Sequence, residues 1–223
     1  MLYIVATPIG NLEDITPRAI NILSNSDLIL AEDTRVTKVL LDRYNIKKEV
    51  QSYHQHSDFK KIDHIVELLK QGKTLSLVTD AGTPGINDPG SHLVSEALKA
   101  IPDLKVVPIP GPNAAIAALS ISGFATDEFV FLGFPPHKKG RQTFFKNISK
   151  IESTVVFYES KHRILKALDN LEKLSDLGER KMMIGRELTK QFETIYRGTL
   201  AEIKPHLTDK NLLGEFVVVI NRK

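Results

Sequence analysis

Short runs of Val, Ile and Leu recur along this chain, each closed by glycine, proline or a small polar residue, and no other feature narrows the possible folds so far. In the first half they fall at residues 2–7, 27–31, 74–79 and 105–109. They are rich in β-branched residues, with helical patterns between them, which is the signature of parallel strands covered by helices on both faces. Thr16-Pro17-Arg18 reads as a helix start, with Thr as the cap and Pro at the first helical position. Ile65, Leu68 and Leu69 recur at helical spacing within residues 63–70. The first half is therefore expected to be an α/β layer.

Pro108-Ile109-Pro110-Gly111-Pro112 marks the best boundary, because three prolines in five residues cannot continue a ladder or a helix interior. The expected division is residues 1–111 as an N-terminal α/β domain and 112–223 as a C-terminal α+β domain. Past the boundary, residues 113–119 are Ala-rich and helical, and 129–134, 154–158, 182–186 and 216–220 read as strands. Only 141–151 and 162–174 are well-marked helices here, so the second sheet is expected to be mixed. The chain carries no internal repeat and no low-complexity segment.

With 223 residues and 42% apolar content, the chain can bury one large core or two small ones. No apolar stretch approaches the roughly 20 residues of a membrane span. The start, Met1-Leu2-Tyr3-Ile4-Val5, lacks the charged leader and cleavage site of a signal peptide. A cytosolic protein without membrane contact is expected. Having no cysteine excludes disulfides, thiolate zinc sites and a cysteine nucleophile. The net charge of +3 is unevenly spread: residues 1–113 carry 12 Lys and Arg against 14 Asp and Glu, and residues 114–223 carry 18 against 13. Clusters at His137-Lys138-Lys139-Gly140-Arg141 and Lys161-His162-Arg163 suit a polyanionic partner, although solvated helix faces produce such clusters too.

The stretch LVTDAGTPGINDPG, residues 77–90, could be a long surface turn. It is one of four glycine- or proline-bearing loops at strand ends, with Thr7-Pro8-Ile9-Gly10-Asn11, Gly111-Pro112-Asn113-Ala114 and Gly133-Phe134-Pro135-Pro136. In an open α/β sheet, ligands bind at the carboxyl ends of the strands. Converging loops of this kind would offer bare backbone to a ligand. Neither G-x-x-x-x-G-K-[ST] nor G-x-G-x-x-G occurs in the chain, which removes the usual phosphate-cradling fingerprints. A nucleoside with a cationic sulfonium suits such a site, since carbonyl oxygens can face its polarised C–H groups.

Six ordered motifs also carry a resemblance. Leu2-Tyr3-Ile4-Val5-Ala6-Thr7-Pro8-Ile9-Gly10-Asn11-Leu12-Glu13-Asp14-Ile15-Thr16, Ala31-Glu32-Asp33-Thr34-Arg35, Asp80-Ala81-Gly82-Thr83-Pro84-Gly85-Ile86, Pro110-Gly111-Pro112, Phe157-Tyr158-Glu159-Ser160 and Arg186-Glu187-Leu188-Thr189-Lys190 resemble the ribosomal RNA small subunit methyltransferase I family, within the tetrapyrrole-methylase-like superfamily. The resemblance runs from Leu2 to Gly214-Glu215-Phe216-Val217. Three positions depart from the family pattern: Lys161 stands where Pro is common, and Asn87 and Asn113 where Ser is common. The chain ends at Lys223, short of the C-terminal segment of longer relatives, which bears on RNA docking.

The resemblance implies a two-domain α/β fold with S-adenosylmethionine in the cleft between the domains, and a homodimer. It implies methyl transfer to the ribose 2'-hydroxyl of a cytidine in the decoding region of small-subunit ribosomal RNA, with the small ribosomal subunit as the setting. The donor contacts it implies are Pro8, Gly10, Asp80, Gly82, Thr83, Ile86, Asn113, Ala114, Tyr158, Glu159, Gly214 and Glu215, largely through backbone groups. Tyr53 and His56 would line the acceptor side.

Methyl transfer is an in-line displacement in which positioning supplies much of the acceleration, and a ribose hydroxyl needs a general base. Glu32 and Asp33, at the end of the second expected strand, are the candidates, with Arg35 orienting them or holding a phosphate. The alternative is that Glu32-Asp33-Thr34 caps the next helix. For RNA contact the candidates are Lys138, Lys139, Arg141 and Arg163, with Phe134, Phe144 and Tyr158 available for base stacking. These also fit a non-catalytic RNA-binding module. A small-molecule tetrapyrrole methylase is a further alternative, disfavoured by the basic second half. A metallohydrolase would use His54 and His56, on one strand face, with Asp58, Asp63 and His64; no further motif completes it, and no metal is expected.

Overall fold

The structure, a computed structural model, describes every residue except 55–58, 175, 176 and 178. The chain divides into two compact units, Met1–Asn113 and Ala114–Lys223.

The first unit is a five-stranded parallel sheet. Its strands are β1 (Leu2–Val5), β2 (Leu28–Ala31), β3 (Val50–Ser52), β4 (Leu75–Val78) and β5 (Val106–Ile109), in the order β3-β2-β4-β1-β5. Between them run α1 (Pro17–Asn25), α2 (Thr34–Arg43), α3 (Phe59–Lys70) and α4 (Ser91–Ala100). Alternation along each strand sends side chains to two separate cores. Val5, Ile29, Ala31 and Val78 pack with Ala19 and Leu23 of α1 and with Leu40 and Leu41 of α2. Leu2, Leu28, Leu30, Leu75 and Leu77 pack on the other face with Ile62, Ile65 and Leu69 of α3 and with Leu93 and Ala97 of α4. Each fully buried Leu or Ile is worth about 1.5–3 kcal/mol of transfer free energy, so both faces of the sheet are committed. Thr16 caps α1 by accepting from Ala19 N at 3.1 Å, with Pro17 in the first turn.

This strand order places the ligand edge. The connection from β1 runs past β4 to β2, and that from β4 runs past β1 to β5. Neighbouring strands whose connections leave in opposite directions open a crevice at their carboxyl ends, the topological switch point of open α/β sheets.

In the second unit, β6 (Phe129–Phe131), β7 (Thr154–Ser160), β8 (Met182–Arg186), β9 (Thr194–Gly198) and β10 (Glu215–Ile220) lie in the order β6-β7-β10-β8-β9. Only β6 and β7 are parallel; the other pairs are antiparallel. Val155, Phe157, Met182, Ile184, Phe216 and Val218 build a core with α6 (Arg141–Ile148), α7 (Ile164–Glu172) and α8 (Leu200–Ile203). α5 (Ala114–Ser122) packs on β7, β8 and β10 through buried Ala115, Ala118 and Leu119. The edge strands β3 and β9 were not expected from the sequence. Both are half-exposed along most of their length, so neither shows an apolar run.

Candidate active site

At the carboxyl edge of the first sheet, the loops after β1, β2, β4 and β5 are tied to one another. Thr7 and Gly82 exchange backbone hydrogen bonds, Thr7 N to Gly82 O at 2.8 Å and Gly82 N to Thr7 O at 3.1 Å. The buried Thr7 hydroxyl donates to Thr79 O at 3.0 Å. Asp33 N donates to Asp80 Oδ1 at 2.9 Å, and the Thr79 hydroxyl donates to Glu32 Oε2 at 2.6 Å. The Thr83 hydroxyl donates to Pro112 O at 3.3 Å. The loop after β4 is thus the hub of this edge. It contains Pro84 and Ile86, reaches the loop holding Pro8 and Gly10, and touches the loop leading to Asn113.

Backbone conformation explains the composition of this hub. Gly82 and Gly85 have φ of +88° and +81°, Gly90 has +145°, and Asn87 has +63°. Glycine takes these values without steric cost, and Asn is among the few other residues that tolerate the left-handed region. A Cβ on Gly90 would lie 2.9 Å from Leu77 Cδ2, and one on Gly111 would lie 2.9 Å from Ala6 Cβ. Packing thus holds Gly90 and Gly111 to glycine, and the glycines together make a cradle poor in side chains, which suits a ligand held by amides and carbonyls.

Two carboxylates of the edge behave in opposite ways. Asp33 caps α2 by accepting from Arg35 N at 2.9 Å, and its side chain also pairs with the Arg35 guanidinium at 2.6 Å. Those hydrogen bonds hold it at about 2. That corrects the expectation of Asp33 as a base: a carboxylate so stabilised in its charged form takes up a proton poorly. Arg35 is occupied in the same pair. Asp88, which sequence reasoning passed over, is pushed up to about 7 by desolvation and then by the neighbouring charges of Glu32 and Asp80. Asp80 is also raised, by desolvation first. No sequence motif marks Asp88; its only signal was membership in the glycine- and proline-rich stretch after β4.

Tyr53 is a second correction. It is 2% exposed, packed in the core with α3 and α4, and burial raises its phenol above the usual value. A ring enclosed there does not line an open acceptor side, the role that the resemblance implies for it. His56 and Asp58 lie outside the described residues, and no group of three His, Asp or Glu suited to a metal occurs among the described ones.

In the second unit, Glu159 is 0% exposed and Arg141 4% exposed. Arg141 Nη2 donates to Glu159 Oε2 at 3.0 Å, Arg163 Nε pairs with Glu159 Oε1 at 3.1 Å, and Ser160 N donates to Oε1 at 2.8 Å. The same arginines reach back to the loop after β6, Arg141 to Pro136 O at 3.3 Å and Arg163 to Pro135 O at 3.2 Å. Glu159 is thus a buried strut whose carboxylate is already filled, and the arginines shape a loop. The expected RNA contact by Arg141 is corrected accordingly, since its side chain is buried in this strut. Lys138 and Lys139 of that loop are exposed.

Tyr158 accepts from Ala115 N at 3.1 Å in the first turn of α5, next to Ala114, and its ring lies 5.0 Å from Phe131 and 5.4 Å from Phe134. Gly214, at φ +106°, stands against Glu187. Glu187 Oε1 accepts from Glu215 N at 2.8 Å and from Lys190 Nζ at 3.0 Å.

Residues 1–204 match the family model described as Tetrapyrrole (Corrin/Porphyrin) Methylases. The chain belongs to that family. Among curated tetrapyrrole-methylase-family relatives, a protein of Thermotoga maritima named Ribosomal RNA small subunit methyltransferase I is 44% identical over all of this chain and 98% of its own length. The protein of that name from Pasteurella multocida is 48% identical over all of this chain and 79% of its own length. Solved structures show the same fold at low identity. The methyltransferase CobJ aligns with TM-score 0.70 and 18% identity over 99% of this chain and 93% of its own. Diphthine synthase aligns with TM-score 0.72 and 15% identity over 99% and 89%. No helix among the described residues is long and apolar enough to cross a membrane.

Proposed function

We propose that this tetrapyrrole-methylase-family protein is an S-adenosylmethionine-dependent methyltransferase of small-subunit ribosomal RNA, acting on the ribose 2'-hydroxyl of a cytidine in the decoding region. The observation that carries the reading is 44–48% identity, across the whole chain, to proteins named for that RNA. The main-chain cradle supports the donor: Pro8, Gly10, Gly82, Thr83 and Ile86 would hold it, with Asp80 and Asn113 from the same edge. Ala114, Tyr158, Gly214 and Glu215 complete the set implied by resemblance, while Glu159 acts from behind as a strut. When bound, S-adenosylmethionine supplies an electrophilic methyl group on a sulfonium.

The chain's own work is to orient the acceptor hydroxyl and take its proton. Of the carboxylates at the edge, Asp88 titrates near the working pH of a general base, whereas Asp33 does not; Glu32, hydrogen-bonded to Thr79, would position the neighbouring groups. The reading includes a homodimer in the cytoplasm acting on the small ribosomal subunit. Its test is incubation of labelled donor with small subunits from cells lacking this gene, followed by mapping of the modified nucleotide. Label at one 2'-O-methylated decoding-region cytidine is the expected result; label absent from the RNA, or carried by a tetrapyrrole instead, would overturn it.

A further inference from the structure

Between α6 and α7 of the second unit lie two adjoining cavities of about 420 and 410 Å3, which share Gln142 and Asn170. His137, Lys138, Thr143 and Lys166 line the first, and Lys146 and Lys173 the second. Among the described residues no carboxylate lines either. The acidic residues of α7 are turned to other work: Asp169 and Glu172 pair with Lys204 at 2.8 and 2.6 Å. The furrow therefore holds four lysines along its length with no built-in counter-charge.

One end of the furrow is the start of α6. Gly140, at φ +86°, turns the chain into the helix, and no side chain caps it. Arg141 N donates to Lys138 O at 3.3 Å, so the N–H groups of Gln142 and Thr143 and the positive end of the helix dipole are what the helix start offers an outside acceptor. A second observation is independent of the helix. Arg141 lines the same cavity, is 4% exposed, and has a buried Nε without an acceptor among the described residues. Its two Nη atoms are committed to Glu159 and Pro136 O, so the triad fixes both the helix start and the loop carrying His137 and Lys138. An open helix start beside Lys138 and Lys166, with no carboxylate among the described lining residues, suits an anion, and the buried Arg141 holds that start in place from behind.

We propose that this furrow seats the backbone of the RNA, with one phosphate at the N-terminus of α6 between Lys138 and Lys166, and the strand running on past Lys146 and Lys173. The proposal rests on the reading of the protein as acting on RNA. It adds Lys146, Lys166 and Lys173, which the sequence did not single out, and it moves Arg141 from contact to support. The charge pattern favours RNA over a small anion, because a lone phosphate would use one end of the furrow and leave the other two lysines without a role.

The test is the affinity of a labelled decoding-region transcript for the full chain, measured over a range of salt concentrations, together with methyl transfer to intact small subunits. Lys138→Gln combined with Lys166→Gln should weaken RNA binding about tenfold at 0.1 M salt and lower the slope of log affinity against log salt by about 1.4, or about 0.7 per lost phosphate contact on a single strand. Lys166→Arg should restore most of the affinity, Lys105→Gln on the first unit should change nothing, and calorimetry should give unchanged donor affinity throughout. Unchanged RNA affinity and salt slope in the double variant would overturn the furrow, whatever the methylation assay gives. Lysine-dependent RNA binding without any methyl transfer by the wild type would support the furrow and sink the enzymatic reading instead.

Discussion

The two units order their functional loops by different means. In the first, the loops at the carboxyl edge are joined main chain to main chain, as between Thr7 and Gly82, with threonine hydroxyls filling the remaining acceptors. In the second, the loop after β6 is held by a buried ion-paired strut, Glu159 with Arg141 and Arg163. The first device leaves bare backbone on display, as a ligand gripped by amides and carbonyls requires. The second spends charged side chains internally and leaves neighbouring lysines outside. Hydrogen-bonded backbone loses little when one side chain changes; a buried ion pair loses a great deal when one partner is removed, because the other charge is left unpaired.

Four substitutions can break or sharpen this contrast. The largest effect is expected at the edge itself, where Asp88→Asn should lower turnover by about 10²- to 10⁴-fold and abolish the acidic limb of the pH–rate profile near 7. Its effect on stability has the opposite sign. A carboxyl group whose folded pKa is raised binds more protons in the native state than in the unfolded one, so wild-type stability declines as pH rises from about 4 to about 7. Asp88→Asn should therefore melt higher than wild type at pH 8 and show no such gain at pH 4. A variant that keeps full turnover would remove Asp88 from the base role.

Next, Glu159→Ala should cost about 3–5 kcal/mol in urea unfolding, through two arginines left without their counter-ion. A loss below about 1 kcal/mol would make the strut dispensable and erase the contrast between the units. Gly90→Ala should cost about 1–3 kcal/mol, since its φ of +145° and the approach of Leu77 both oppose a Cβ; donor affinity measured by calorimetry should fall with it. The smallest effect belongs to Asp33→Asn. Asn caps a helix as well as Asp does, so thermal melting and turnover should stay at the wild-type level. A large loss of turnover would return Asp33 to the chemistry.

The sheets were legible to different degrees for a physical reason. β1, β2 and β4 are closely packed on both faces, so nearly every residue is apolar and the run shows in the sequence. Edge strands β3 and β9 are half-solvated, and their residues carry no such pattern. The loop after β4 was legible because a left-handed backbone favours Gly or Asn, and the chain shows that preference at Gly82, Gly85, Asn87 and Gly90. Charged and aromatic side chains were read less well. Tyr53 sits beside a polar stretch in sequence and yet lies in the core, and Arg141 sits in a basic cluster and yet is buried against Glu159.

Taken alone, the sequence was enough to establish a parallel α/β half, a change of architecture near residues 108–112, backbone-rich bends at strand ends and a family resemblance, because periodicity, proline and glycine act locally. Only the tertiary structure decided which carboxylate is pushed up by burial and which caps a helix, which arginine is a strut, and which lysines share a furrow. Protonation and ion pairing depend on burial and on neighbours distant in sequence: 47 residues separate Asp33 from Asp80, and 18 separate Arg141 from Glu159. No pattern within a short window encodes such distances.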